Sequence, residues 1–128
     1  MKKIITTDNA PAAIGPYSQA VECNGTLYIS GQIPLNPTTG KLVEGGISAQ
    51  TEQVFGNISA ILQAAGYDFG DVVKTTVFIA DMALFAEMNE VYKKYYTSNC
   101  PARSTIAVKA LPLGALVEIE TVAISFKA

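Results

Sequence analysis

Two stretches near the C-terminus carry charges where a core strand would ordinarily carry valine or isoleucine. Arg103 opens the run Arg103-Ser104-Thr105-Ile106-Ala107-Val108, and Glu118 and Glu120 lie within Val117-Glu118-Ile119-Glu120. Side chains alternate along a strand, so Arg103, Thr105, Ala107 and Lys109 share one face, and Ser104, Ile106 and Val108 the other. Glu118 and Glu120 point the same way as Val122, Ile124 and Phe126. A carboxylate on a face that turns apolar is costly unless it is paired, hydrogen-bonded or wet. The plainer alternative puts both glutamates at a solvated strand end and Arg103 on the rim, and spacing alone favours it.

What other chemistry is open is set by an absence. The 128 residues contain no histidine. That excludes Ser-His-Asp and Cys-His catalysis, paired-histidine ribonuclease chemistry and histidine-ligated zinc. Two cysteines, Cys23 and Cys100, form neither a disulfide framework nor a four-thiolate site, and free thiols in a reducing compartment are expected. Carboxylate, arginine, tyrosine, hydroxyl and backbone groups remain.

Nine basic against eleven acidic residues give a net charge of −2 and a pI near 5.0, with Lys93-Lys94 the only internal basic pair. Electrostatically driven nucleic-acid binding is therefore not expected. No segment approaches the ~18 apolar residues of a membrane span. The opening Met1-Lys2-Lys3-Ile4-Ile5-Thr6-Thr7-Asp8 turns polar too soon for a secretory signal, so the cytoplasm is the expected compartment. A mean hydropathy of +0.27 is high for a small soluble chain and would suit either a large core or apolar surface left for a partner.

The elements that must position these residues follow from periodicity and turn signals. Lys2 to Thr6 starts a strand, and residues 8–16 form a Pro/Gly loop. Tyr17 to Cys23 and Thr26 to Ser30 flank Asn24-Gly25, a strong hairpin signal. Gly31 to Gly46 is a long connection. A helix runs from about Ser48 to Ala65, with Ile47, Val54, Phe55, Ile58, Ile61 and Leu62 as its apolar stripe, Ser48 as its cap and Gly66 at its exit. Asp71 to Ile79 reads as a buried strand. Asp81 caps a second helix from Met82 to about Ser98, ended by Asn99 and by Cys100 before Pro101.

The order β-β-β-α-β-α-β-β gives one sheet and two helices, each with one apolar stripe. If both helices cover one face, something must hide the other, and a partner subunit is the economical answer. Were residues 103–109 and 117–126 a simple hairpin, Glu118 would fall near Val108, about 16 Å from Arg103 at strand rise. The two charges then share a ligand only through another strand order or a neighbouring chain.

The run Pro101-Ala102-Arg103-Ser104, Ile106 and then Val117-Glu118-Ile119 resembles the signature of the reactive intermediate deaminase family (RidA, also called YjgF). Ile14 to Ala20, Leu27 to Pro34 and the region around Asn89 resemble it as well, so residues 1–128 are expected to form a single domain of this kind. The resemblance implies a chorismate-mutase-like α+β fold. Its single mixed sheet, of about six strands on the element order above, carries two helices on one face and packs by the other in a homotrimer. It also implies clefts at subunit interfaces and hydrolysis of small 2-imino acids, 2-iminobutanoate and 2-iminopropanoate, to 2-keto acids and ammonia. An iminium carbon is already electrophilic, so neither metal nor cofactor is expected.

Under this resemblance Arg103 anchors the substrate carboxylate through its planar fork, and Glu118 orients the water as general base. Thr105 stands where the family often carries cysteine, so a backbone group there would serve in place of a thiolate. Tyr17 is implied as a wall or hydroxyl contact, and Ser30 and Gly31 as a substrate-contacting turn. Asn89 falls at a cleft edge or an ordinary helix flank, and Pro112 shapes the pocket. Glu120 is left structural. A non-catalytic keto-acid sensor could use the same residues, and a translation-inhibiting ribonuclease is the third reading, weighed down by the missing histidine and acidic balance.

Overall fold

The computed structural model describes residues 1–125. Phe126, which the alternation puts on the same face as Glu118, lies outside them. Six strands form one sheet: β1 (Lys3–Ile5), β2 (Ala20–Cys23), β3 (Thr26–Gln32), β4 (Val72–Ile79), β5 (Ala102–Ala107) and β6 (Val117–Ile124). Two helices, α1 (Ile47–Ala65) and α2 (Phe85–Tyr95), interrupt the strands in the expected order. The sheet runs β1-β2-β3-β6-β4-β5, antiparallel except for the parallel pair β4/β5. It is the mixed α+β sheet with two helices that the sequence implies.

The hairpin forms as its turn dictates. Asn24 and Gly25 have φ of 50° and 79°, the left-handed pair of a turn whose twist matches the flanking strands, and Cys23 faces Thr26 across it. Along β6 burial alternates strictly, with Val117, Ile119, Thr121 and Ala123 buried. These residues, with Leu27 and Ile29 of β3 and Thr75, Val77 and Ile79 of β4, make the face on which the helices lie. α1 lies over β3 and β6 with Val54, Phe55, Ile58 and Ile61 wholly buried, and Gly66 closes it at φ 82°. α2 packs on α1 and meets β4 through Tyr92, whose hydroxyl is 2.7 Å from Thr75 Oγ1.

Three details depart from the sequence reading. Gly46, not Ser48, precedes α1, and the Ser48 hydroxyl instead donates to Glu87 on α2. β2 begins at Ala20, because residues 15–19 turn (Tyr17 N–H to Gly15 O, 2.9 Å) and the Gln19 side chain is committed to a neighbouring loop. Asp81 caps a 3₁₀ turn at 82–84 rather than α2 itself, and α2 ends at Tyr95. There Tyr96 leaves the helix to pack its ring edge-on against Phe55 and Phe69, which outweighs three more residues of helix. β5 and β6 do not pair, since β4 lies between them, which is the other strand order that the spacing of Arg103 and Glu118 left open.

Opposite the helices the sheet is bare. Tyr28, Ile106 and Ile124 on that face are 53%, 47% and 37% exposed. Such a patch marks an interaction surface more often than a solvated one. Among the described residues no helix is long and apolar enough to cross a membrane.

Candidate functional site

Glu118 owes its position to a defect in the β3/β6 ladder. Ile29 pairs with Thr121 and Gln32 with Ile119, so three steps along β3 answer two along β6. The extra residue is a β-bulge at Ser30-Gly31, a device that ends regular pairing and re-aims side chains. The Glu118 side chain folds directly over Gly31. A Cβ built there would collide with the carboxylate, with Cδ only 2.9 Å and Cγ 3.1 Å away. Glycine is needed here for room, not for backbone freedom. Ser30 is spent on structure, its hydroxyl donating to Ser18 O at 2.6 Å.

These residues line a cavity of about 650 Å³ with Tyr17, Pro112 and Glu120. Its apolar wall includes Ile33, Leu35 and Leu113. The Glu118 carboxyl is pushed above its ordinary value, first by burial and then by the Glu120 charge two residues on. It therefore holds a proton more readily than a free glutamate.

The loops around this cavity are held by buried amides. Gln19, 4% exposed, donates Nε2 to the carbonyls of Thr7, Ala10 and Pro11 and accepts from Thr7 N–H. Asn57 on α1 donates to Ile33 O and Leu35 O, and Gln50 accepts from Leu116 N–H. Sequence reading assigned none of the three. The one available signal was Asn57 itself, a polar residue at helical spacing inside the stripe of Val54, Ile58 and Ile61.

Arg103 sits elsewhere. Thr75 is its partner across the parallel β4/β5 ladder, and Thr75 is buried beneath the helices, so Arg103 projects to the helix side of the edge strand. Its Nη1 donates to Asn89 Oδ1 at 2.7 Å, and its Cζ lies 4.6 Å from the Tyr92 ring centroid and 5.5 Å from that of Phe85. Among the described residues the ion pairs are Lys93–Glu90 and Lys94–Glu52, and no carboxylate faces Arg103. Its neighbours are neutral and aromatic, which leaves the full charge free for an anionic ligand. With Asn89, Tyr96 and Cys100 it lines a second cavity of about 390 Å³.

The structure thus brings Tyr17, Ser30, Gly31, Pro112 and Glu118 together, and Arg103 with Asn89, but not the two groups with each other. Glu118 is level with Phe78 and hence with Ile106, three residues beyond Arg103 and two strands away. It is also on the other face of the sheet. Thr105 follows Arg103 on the helix side, opposite Val77, and lines neither cavity; its Oγ1 is buried without a hydrogen-bond partner. Glu120, left structural by the sequence, shares the Glu118 cavity. Both cysteines are free, and no group of three metal-ligating side chains occurs among the described residues.

Comparison with known proteins agrees with this architecture. A family model described as "Endoribonuclease L-PSP" matches residues 7–125. The mouse protein named 2-iminobutanoate/2-iminopropanoate deaminase is 52% identical over 124 residues, 97% of this chain and 92% of that one. A crystal structure of YyfA from Yersinia pestis, described as of the conserved Rid protein family, superposes with a TM-score of 0.95 at 53% identity, covering 98% of this chain and 100% of that. TdcF from E. coli, solved with bound serine, gives 0.91 at 42% identity over 96% and 98% of the two chains.

Proposed function

The chain belongs to the endoribonuclease L-PSP family, that of the Rid deaminases, and from this we propose that it hydrolyses small 2-imino acids such as 2-iminobutanoate and 2-iminopropanoate to 2-keto acids and ammonia. Residues 1–128 act in this reading as one domain of that type. The single observation that carries it beyond kinship is the pair of complementary half-sites: an unpaired guanidinium cradled by neutral groups, and a glutamate of raised proton affinity in an apolar-walled cavity.

The two halves face away from each other in one chain, so a complete site needs the Arg103 edge of one copy against the Glu118 face of another. The bare sheet face, with Tyr28 and Ile124 uncovered, supplies the surface for that contact. A homotrimer with interfacial clefts meets both needs. In it Arg103 grips the substrate carboxylate in a bidentate pair and fixes the imine carbon near Glu118. Glu118 takes a proton from water as the oxygen attacks the C=N carbon, forming a carbinolamine. The same carboxyl returns the proton to nitrogen, the C–N bond breaks, and the carbinolamine hydroxyl gives its own proton to the Glu118 carboxylate as the carbonyl forms and ammonia leaves. Tyr17 and Pro112 confine the substrate, and Gly31 keeps the space in which Glu118 works.

The serine bound in E. coli TdcF favours a second reading, a sensor of small amino or keto acids that performs no chemistry. Glu118→Gln separates the two. An enzyme loses turnover and keeps ligand affinity, whereas a sensor has no turnover to lose.

The test is a coupled assay in which threonine dehydratase generates 2-iminobutanoate and semicarbazide competes for it. The reading expects this protein to accelerate 2-ketobutanoate release and Arg103→Ala not to. Equal inertness of both, with 2-ketobutanoate still bound by the wild type, rejects the deaminase in favour of the sensor.

A further inference from the structure

Resting on the anchor role proposed for Arg103, we infer that Tyr92, pinned by Thr75, is the positioning residue that aims the Arg103 guanidinium at the substrate carboxylate. Arg103 comes from an edge strand, and an unsupported arginine there would sample many rotamers. Three side chains of α2 prevent this. Phe85, Asn89 and Tyr92 recur at four- and three-residue spacing on one helix face, and all three touch the guanidinium.

Tyr92 differs from the other two in being fixed at both ends. Its ring packs 5.7 Å from Phe55 and 4.9 Å from Tyr96, centroid to centroid, and its hydroxyl meets Thr75 Oγ1 at 2.7 Å. Thr75 is wholly buried and is the ladder partner of Arg103 itself. The backbone rung that launches the arginine therefore also holds, through one hydroxyl pair, the ring on which its head rests. The aim is set within one closed loop of contacts: Arg103 to Tyr92, Tyr92 to Thr75, Thr75 to Arg103.

The chemistry of the support matters as much as its position. Burial pushes the Tyr92 phenol up from its ordinary value of 10.0, against weaker opposing effects of Thr75 and Arg103. The phenol therefore stays neutral at working pH. A carboxylate at that position would also hold Arg103 in place, but it would neutralise it and compete with the substrate. Tyr92 and Asn89 orient the cation and leave its charge unspent.

The test compares Tyr92→Phe, Thr75→Val and Thr75→Ser with the wild type in the imine assay and in calorimetric titration with 2-ketobutanoate, with Arg103→Ala as the reference for a lost anchor. Loss of aim weakens ground-state and transition-state binding together, so Tyr92→Phe and Thr75→Val should raise KM and the keto-acid Kd about five- to twentyfold with kcat within about twofold. Thr75→Ser, which keeps the hydroxyl, should restore wild-type affinity. Wild-type affinity in folded Thr75→Val or Tyr92→Phe, or a loss confined to kcat, overturns the inference. Should Tyr92→Phe not fold, the Thr75 pair decides alone. A wild type inert toward the imine while Arg103→Ala abolishes keto-acid binding defeats the deaminase reading only, and the Kd comparison then still judges Tyr92.

Discussion

Replacing Gly31 by alanine isolates the placement of Glu118 from its presence. The new Cβ would meet Cδ of Glu118 at 2.9 Å and Cγ at 3.1 Å, with a carboxylate oxygen nearer still. Ordinary carbon–carbon contact is about 3.5–4.0 Å, so the carboxylate must retreat by on the order of 1 Å. What yields is the free end of a side chain, so the cost to folding is small. Removing a glycine from a strand interior returns about 0.5–1 kcal/mol. The two effects nearly offset, and the unfolding free energy should change by less than about 1 kcal/mol. Catalysis has no such tolerance: a displacement of about 1 Å of a reacting group costs on the order of a hundredfold. Urea unfolding and steady-state imine hydrolysis should therefore diverge, with near-wild-type stability, keto-acid affinity within about threefold, and kcat down about a hundredfold. Wild-type kcat in a folded Gly31→Ala protein would refute the claim that Glu118 acts from this position.

Three further outcomes are expected. Because burial and Glu120 raise the Glu118 pKa, the base form comes to predominate at a pH above the ordinary value of 4.5, and the acid limb of kcat should sit above it. Glu120→Gln should move that limb to lower pH. For stability the sign is reversed from a paired carboxylate. The folded state holds the proton more tightly, so stability falls as pH rises from 4.5 toward the folded value, and Glu118→Gln should remove that slope in a pH series of urea melts. Leu113 is 70% exposed with φ of 58°, a conformation that costs a non-glycine residue about 1–2 kcal/mol. Leu113→Gly should accordingly raise the thermal midpoint, and a lowered one would show that its side chain makes contacts that outweigh the strain.

Local signals in the sequence were enough for most of the elements. Asn24-Gly25 specifies its turn because few other residues accept two successive left-handed conformations, and the α1 stripe needs only a period. Asn89 beside the inward face of α2 was legible in the same way. What spacing could not reveal was the insertion of β4 between β5 and β6, a pairing of residues more than thirty positions apart. That insertion puts Arg103 and Glu118 two strands apart and turns the question of their partnership into one about a second copy. The Ser30-Gly31 bulge was equally hidden, since an extra residue in one strand is visible only against its partner. Gln19 and Asn57 read as ordinary polar residues until the carbonyls they satisfy are in place. The end of α2 is set by tertiary packing, the aromatic cluster that draws Tyr96 out of the helix, and local spacing carries no sign of it.

The central claim is that Arg103 of one copy and Glu118 of another complete a single imine-hydrolysing site. Mixing Arg103→Ala with Glu118→Gln, each inactive alone, and reassembling them from denaturant tests it directly. Random reassortment of equal amounts places an intact Arg103 opposite an intact Glu118 in about a quarter of sites, so the mixture should regain about a quarter of wild-type activity. No recovery from mixed oligomers of demonstrated composition would contradict the shared site.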